Sequence, residues 1–186
     1  NLLLDVTPLS LGIELLGGIT EKIIHRNSTI PISVSKEFTT YQDGQTGIKL
    51  HIVQGEREMA KDCRSLAFLE INNIPPRKAG EAKIKVTFTI DADGLLTVDA
   101  EGENFEHSDR VEAMLNYDLN ESKIENMLRD AIKNSQNDME EKLLVESKLS
   151  AEALLKQISH ALQEDIDLIR IKKKKRIENT INKLNR

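Results

Sequence analysis

The sequence has few of the residues that mark the commonest redox and nucleic-acid sites. Its 186 residues include no tryptophan, two tyrosines, four phenylalanines and a single cysteine, Cys63. So few aromatic side chains give no stacking surface for bases, and a formal net charge of −5 repels phosphate, so we expect no nucleic-acid partner. One cysteine leaves no intramolecular disulfide and no CxxC motif, which fits a reducing, cytoplasmic location.

Apolar runs are short throughout the chain. None exceeds four residues, whereas a membrane-spanning helix needs about 20. The N-terminus also lacks the basic and then apolar pattern of a secretory signal peptide. We therefore expect no membrane partner.

Glycine and proline disappear from the sequence after residue 102. All nine glycines and all four prolines lie in residues 1–102, and no aromatic residue follows Tyr117. Residues 1–116 carry 12 basic and 18 acidic side chains, whereas residues 117–186 carry 14 and 13. The change predicts two domains, an acidic one over residues 1–116 and a second one over residues 117–186 that contains no helix-breaking residue.

The first domain has the alternation that is typical of β-strands. Lys83–Ile90 alternates polar and apolar residues, and a turn at Asp93 and Gly94 separates it from the next candidate strand. Short strands at a spacing of roughly 8–12 residues predict an antiparallel β-sandwich. The candidate strands are Ile19–Ile24, Val34–Tyr41, Ile48–Ile52, Leu66–Ile71, Lys83–Ile90, Leu95–Ala100 and Val111–Leu115.

The second domain has the periodicity of α-helices. Apolar residues recur every three or four positions from Ile124 onward, and Asn120 precedes them as a candidate N-cap. Without glycine or proline, the domain is either one very long helix or two or three helices joined by kinks. Its narrow apolar stripe needs cover from the sandwich or from another partner.

Two glycine-containing segments look like ligand loops but lack essential residues. Gly12–Ile19 begins like a phosphate loop, yet Gly18 and Ile19 stand where lysine and serine or threonine are required. Asp91–Gly94 resembles half of a calcium loop, with Gly102 at the position of the bidentate glutamate. Both segments are therefore predicted to be turns.

The remaining reactive side chains form no recognisable catalytic or metal-binding pattern. Cys63 and the histidines at positions 25, 51, 107 and 160 lack metal-ligand spacing, and no nucleophile motif is present. We therefore expect neither a metal site nor catalysis. Lys172–Arg176 is a run of five basic residues, which is either a solvated helix face or a site for an anionic partner.

Five segments form a more specific set: Leu2–Glu14, Gly17–Gly18, Asn27–Pro31, His51–Arg57 and Asp91–Gly94. In order and spacing they closely resemble the substrate-binding half of DnaK-type (seventy-kilodalton heat-shock) chaperones, and the resemblance extends across residues 1–170. Within this family, Asp43–Thr46, Glu56–Glu58 and Asp62–Leu66 are most similar to the HscA branch, which is specialised for iron–sulfur-cluster assembly.

The resemblance implies an α+β fold, in which an antiparallel eight-stranded β-sandwich holds an extended peptide and is followed by an α-helical lid. In the family, an ATPase domain precedes the sandwich and the lid continues into a helical bundle. We therefore expect a fragment with a truncated lid and without the ATPase domain, which needs no cofactor and is not itself an enzyme. For the full-length protein the resemblance implies ATP as cofactor and a J-domain co-chaperone as partner.

The resemblance to the HscA branch also implies a client. It is an extended peptide of an iron–sulfur scaffold protein, with the motif Leu-Pro-Pro-Val-Lys. The alternative within the family is a general DnaK-like domain that binds exposed apolar segments of unfolded proteins. A third hypothesis, from another class, is a structural module that self-associates through exposed lid helices.

The resemblance assigns site residues by position. The central pocket comprises Ile13, Ile19, Phe38, Ile48, Leu50 and Ile84, and Leu16 and Tyr41 arch over the peptide. Backbone contacts fall to Glu14, Thr39, Thr40 and Gln45. Without the resemblance, each apolar residue of the pocket set would be interpreted as a residue of the sandwich core.

The resemblance also implies a lid latch that contains Asp43, Asp138 and Lys156. Here the sequence departs from the family, because Ala79 replaces an arginine and Lys156 replaces a histidine. Arg77 or Lys78 is expected to replace the missing arginine, and Lys156 the missing histidine. Exposed pairs of this kind contribute about 0–1 kcal/mol each.

Overall fold

The computed structural model describes residues 6–106, 108–117, 119–164 and 171–184. Leu2–Asp5 of the first family-like segment and His107 lie outside the described residues. Within those ranges, eight β-strands precede two α-helices. They are β1 (Leu11–Glu14), β2 (Thr20–Ile24), β3 (Ile32–Thr39), β4 (Ile48–Gln54), β5 (Arg64–Ile71), β6 (Lys83–Ile90), β7 (Leu95–Gly102), β8 (Ser108–Met114), α1 (Glu121–Glu164) and α2 (Ile171–Leu184).

The strands form two antiparallel sheets of four strands each. The first sheet has the order β2-β1-β4-β5, and the second has the order β3-β6-β7-β8. Two pairs in these ladders matter for the site. His51 on β4 lies opposite Phe68 on β5, and Phe38 on β3 lies opposite Ile84 on β6. The predicted α+β sandwich followed by helices is confirmed.

The hydrophobic core lies between the inner faces of the two sheets. Strand β6 illustrates how the sequence builds it, because Ile84, Val86, Phe88 and Ile90 are all buried. The lysines and threonines that alternate with these residues are exposed or half-buried. The strand predicted over Lys83–Ile90 is therefore confirmed, with its apolar face toward the core.

Strand β1 was not among the strands predicted from alternation. It has only four residues, and Gly12 occupies its second position. A Cβ at that position would lie 2.4 Å from the carbonyl oxygen of Glu21 on β2, so the glycine permits close approach of the two backbones. The same glycine that suggested a phosphate loop thus serves strand pairing.

Asp91–Gly94 is a turn, as predicted, but for Gly12–Ile19 the prediction is only partly right, because Gly12–Glu14 belongs to β1 and the turn begins after it. Gly17 and Gly18 have φ values of 83° and 78°, in the left-handed region that favours glycine, and they join β1 to β2. In the second turn the Asp91 side chain accepts hydrogen bonds from the backbone N–H groups of Asp93 and Leu95, both at 2.9 Å. This Asx turn closes the β6–β7 hairpin.

Helix α1 begins at the predicted cap. The Oδ1 atom of Asn120 accepts a hydrogen bond of 2.9 Å from the backbone N–H of Lys123, which is the N-cap geometry. The helix continues for 44 residues as a single element. Neither α1 nor α2, the helices of the described ranges, contains a stretch long and apolar enough to span a membrane.

Packing divides the chain into two compact units. The first runs to Lys142 and includes the sandwich and the N-terminal half of α1, and the second covers Leu143–Arg186. The domain boundary predicted after residue 116 falls between β8 and α1, and it stays a prediction. The candidate site described next lies entirely within the first unit.

Candidate functional site

A groove of about 520 Å³ opens where β1 and β3 end and β4 begins. Both sheets contribute to it, because β1, β4 and β5 belong to the first sheet and β3 to the second. It is lined by Ile13, Glu14, Leu15, Leu16, Phe38, Thr39, Tyr41, Ile48, Lys49, Leu50, His51 and Phe68.

The floor of the groove is apolar. Ile13 and Leu50 are buried beneath it, and Phe38 and Ile48 are half-buried. These four residues from the predicted pocket set are brought together by the closure of the two sheets. A leucine-sized side chain that became fully buried on this floor would contribute roughly 1.5–3 kcal/mol.

The rim of the groove exposes two large side chains, Leu16 and Tyr41, which are 53% and 54% exposed. These are the two residues that were predicted to arch over a peptide. The loop carrying Tyr41 is fixed by Gln45, whose Oε1 accepts a hydrogen bond of 3.0 Å from the Tyr41 N–H. Gln45 in turn donates from Nε2 to the carbonyl of Gly47 at 2.9 Å.

The remaining predicted site residues lie in different places. Of the four assigned backbone contacts, Glu14 and Thr39 line the groove, whereas Thr40 is buried and Gln45 holds the adjacent loop. Ile84 is 1% exposed and belongs to the core, although its ladder partner Phe38 reaches the groove. Ile19 is also buried, and it forms an isolated bridge with Met59 away from the groove lining.

Four lining residues were not predicted from the sequence: Leu15, Lys49, His51 and Phe68. The His51 and Phe68 rings stack with centroids 4.4 Å apart and an interplanar angle of 11°. The Lys49 Nζ lies 4.7 Å from the centroid of the Phe68 ring. Alternation along β4 marks Lys49 and His51 only as outward-facing, and their meeting with Phe68 depends on the β4–β5 register.

His51 is held through both of its ring nitrogens. Its Nδ1 lies 2.6 Å from Oε2 of Glu14, and its Nε2 lies 2.8 Å from Oγ of Ser65. The stacked pair therefore rests on contacts from β1, β4 and β5 at once. This wall of the groove is therefore held by side-chain contacts within the protein.

A cluster of charges fastens the N-terminal half of α1 to the sandwich. Arg57, after β4, donates from Nε and Nη2 to the two carboxylate oxygens of Asp138 at 2.5 and 2.8 Å. Its Nη1 donates to Asp130 at 2.9 Å. A separate ion pair joins Lys61 to α1, with its Nζ 2.6 Å from Oε1 of Glu141.

The Asp138 carboxylate is 3% exposed, so its pairing matters energetically. The hydrogen bond from Arg57 lowers the pKa of Asp138 and raises the pKa of Arg57. Sequence reasoning placed Asp138 in the latch but did not identify Arg57 as its partner. The two residues are 81 positions apart, and only the folded sandwich brings them together.

The other two predicted latch residues have different surroundings. Asp43 accepts a hydrogen bond of 2.8 Å from the backbone N–H of Ala79. The Arg77 side chain donates instead to the carbonyl of Asn104 at 3.2 Å. Lys156 lies in the second unit, where it lines a cleft with Leu155 and other residues of α1 and α2.

Within the described ranges, no cluster of three or more His, Cys, Asp or Glu side chains is arranged to hold a metal ion. The Cys63 thiol is a neighbour of Thr20 and of the Arg57 carbonyl. Burial raises the pKa of this thiol, which disfavours the reactive thiolate form. The groove is suited to binding by shape and apolar contact.

The sequence of the chain is similar to those of known proteins. The family model described as "Hsp70 protein" matches residues 1–186. The chain is 50% identical over 184 residues to the chaperone protein HscA homolog of Rickettsia bellii, covering 99% of the chain and 31% of that protein. It is 47% identical over 187 residues to the chaperone protein HscA of Proteus mirabilis, covering 98% of the chain and 30% of that protein. The chain thus spans about three tenths of the length of these curated relatives.

Proposed function

The chain belongs to the Hsp70 family, and we propose that its sandwich binds an extended peptide segment of a client protein, as part of an HscA-like chaperone. One observation carries this proposal. An apolar floor contributed by both sheets lies under two half-exposed side chains, Leu16 and Tyr41, at one end of the sandwich.

The energetics favour weak, reversible capture. One apolar side chain contributes roughly 1.5–3 kcal/mol, whereas a micromolar complex requires about 8 kcal/mol. Main-chain hydrogen bonds to an extended peptide supply much of the difference at about 0.5–1.5 kcal/mol each, and they do not depend on the peptide's sequence. The apolar floor then selects the anchoring side chain of the peptide. The backbone hydrogen bonds accept a range of residues on either side of that anchor.

We further propose that the client is an iron–sulfur scaffold protein with a Leu-Pro-Pro-Val-Lys segment, as the resemblance to the HscA branch implies. Proline fixes its own φ, so a Pro-Pro segment is extended before it binds and loses less conformational entropy. It also donates fewer backbone hydrogen bonds, so it relies on a channel that fits closely. Tyr41 and Ile48 both line the groove, and the proposal is that they narrow the channel for such a segment.

For the full-length protein, the proposal includes ATP as the cofactor, a J-domain co-chaperone as a partner and iron–sulfur-cluster assembly in the cytoplasm as the setting. The alternative is a general chaperone domain that binds exposed apolar segments of unfolded proteins. The two differ in client preference, because a general binder favours a leucine-rich peptide.

Binding of a fluorescent leucine-anchored peptide, followed by anisotropy, tests the general proposal. Ile48→Phe should abolish binding and leave the sandwich folded, because Ile48 is half-buried and its added volume enters the open groove. Were Ile48 an ordinary core residue, overpacking would cost about 1–3 kcal/mol of stability.

The matched control is Ile52→Phe, at a fully buried position four residues further along the same strand. This variant should lose stability. Wild-type protein that binds no apolar peptide, or an Ile48→Phe variant that binds normally, would contradict the proposal.

A further inference from the structure

We propose that Phe68, together with His51 and Lys49, forms a second subsite of the groove, which receives an aromatic side chain of the bound peptide. This inference rests on the proposed function and adds a preference to it. The floor of the groove takes one apolar anchor, and the subsite takes a ring a short distance along the same segment.

The first argument is the exposure of Phe68, which is 53% exposed on β5. A single exposed apolar residue is ordinary on a protein surface. Here, however, Leu16, Tyr41 and Phe68 are all about half-exposed and all line one concavity. Clustered exposed apolar side chains of this kind mark a binding surface.

The second argument is that the protein's own side chains hold the ring in place. Phe68 stacks on His51, and His51 is fixed by Glu14 at 2.6 Å and Ser65 at 2.8 Å. A ligand side chain that packs on this wall therefore does not have to order it. Rigid aromatic side chains that are already ordered are efficient contact surfaces for this reason.

The third argument concerns the chemistry of the guest. The Lys49 Nζ lies 4.7 Å from the Phe68 centroid and 3.2 Å from Glu70, in an exposed ion pair. Exposed pairs are weak, so the ammonium is available to a ligand. A lysine ammonium and the edge of an aromatic ring both attract the negative face of another ring. An aromatic guest therefore fits better than an aliphatic one.

The fourth argument is distance. Lys49 and His51 flank Leu50, a floor residue, on the same strand. Alternation along β4 turns the side chains of Lys49 and His51 away from that of Leu50, yet all three line the groove, so the subsite lies at the outer edge of the opening and not on the floor. An extended peptide advances about 3.3 Å per residue, so test positions up to three residues from the anchor cover about 10 Å of the groove.

A set of anchored peptides tests the subsite. Each has one anchoring leucine in a Ser/Asn background and carries Phe or Leu at one further position within three residues of that anchor. At one position or more, the Phe peptide should bind about 3–10-fold more tightly than the Leu peptide.

Phe68→Ala should abolish the difference between the Phe and Leu peptides, and Lys49→Gln should reduce it. Phe68→Leu, which keeps the strand's apolar bulk, serves the same purpose if the alanine variant does not fold. Met114→Ala is the matched control, because Met114 is an exposed apolar residue on β8 outside the groove. It should keep the wild-type preference.

The outcomes separate the subsite from the proposed function. A Phe preference that persists in Phe68→Ala and Phe68→Leu, or the absence of any Phe preference in the wild type, overturns the subsite. If at the same time the anchored peptides bind and Ile48→Phe abolishes that binding, the proposed function stands. If no anchored peptide binds to the wild type, both fall.

Discussion

At the residue scale, the inward-facing side chains of the sandwich divide into those that fill the core and those that reach an opening. Phe38 and Ile84 are direct partners in the β3–β6 ladder, yet Phe38 lines the groove and Ile84 is buried. Alternation in the sequence predicts which side chains point inward. It does not predict where the sheets separate enough to leave an opening, and so it cannot distinguish these two residues.

For outward-facing residues, too, alternation predicts the direction of a side chain but not its neighbours. Lys49 and His51 alternate with apolar residues, which is typical of solvent-facing positions. Their contact with Phe68 depends on which residue of β5 lies opposite, and no local pattern in one strand fixes that register. The contact of Lys49 and His51 with Phe68 could therefore not be predicted from the pattern of a single strand.

A substitution of Tyr41 tests the proposed peptide preference at the residue scale. Tyr41→Ala should reduce the preference for a Pro-Pro peptide over a leucine-rich one, because the rim above the floor becomes wider. The ratio of the two dissociation constants, measured by anisotropy for wild type and variant, gives the result. An unchanged ratio would remove Tyr41 from the specificity argument.

At the scale of elements, local signals predicted the framework well. Strand β6 was predicted with its observed bounds, and the Asn120 cap was predicted one residue before α1. The continuity of α1 was left open, because the absence of glycine and proline permits a long helix without requiring one. The contact that fastens its N-terminal half, from Arg57 to Asp138, joins residues from separate elements and has no local signal.

Asp138→Asn should destabilise the first unit by about 1–3 kcal/mol at pH 7, since it removes a buried, charge-assisted pair with Arg57. Asp130→Asn is the matched control. Asp130 also pairs with Arg57 but is exposed, so its loss should cost at most about 1 kcal/mol. Thermal unfolding of the three proteins provides the comparison, and equal midpoints for both variants would contradict a role for burial.

The same pair predicts a pH dependence. Because the pKa of Asp138 is lower in the folded than in the unfolded state, its stabilisation is fully present above the unfolded value of about 3.9. The stabilisation is lost as the pH falls through the folded pKa. The difference in unfolding temperature between wild type and Asp138→Asn should therefore shrink below about pH 4. A difference that stays constant from pH 7 to pH 2 would contradict this assignment.

At the scale of the whole molecule, α1 leaves apolar side chains uncovered along its length. The large exposed ones are Ile132, Met139, Leu143, Leu144 and Leu154. Surfaces of this kind favour association. We predict that the 186-residue chain self-associates as its concentration rises, with earlier elution in size-exclusion chromatography.

The double variant Leu143→Gln/Leu144→Gln should elute later at the same concentration, because two adjacent exposed leucines are removed from the helix surface. Lys148→Gln, an exposed change on the same helix, is the matched control and should elute like the wild type. Elution of the wild type that does not depend on concentration would contradict self-association.

The central claim is that this sandwich is a selective peptide-binding domain, and competition between two peptides tests it most directly. One peptide contains Leu-Pro-Pro-Val-Lys, and the other is leucine-rich and of equal length. Anisotropy should give the first a dissociation constant lower by at least about tenfold, or roughly 1.4 kcal/mol. Part of this preference should disappear at high salt, since residues 1–116 carry 18 acidic against 12 basic side chains and attract the peptide's lysine. Tighter binding of the leucine-rich peptide would contradict the selective function and favour a general chaperone domain.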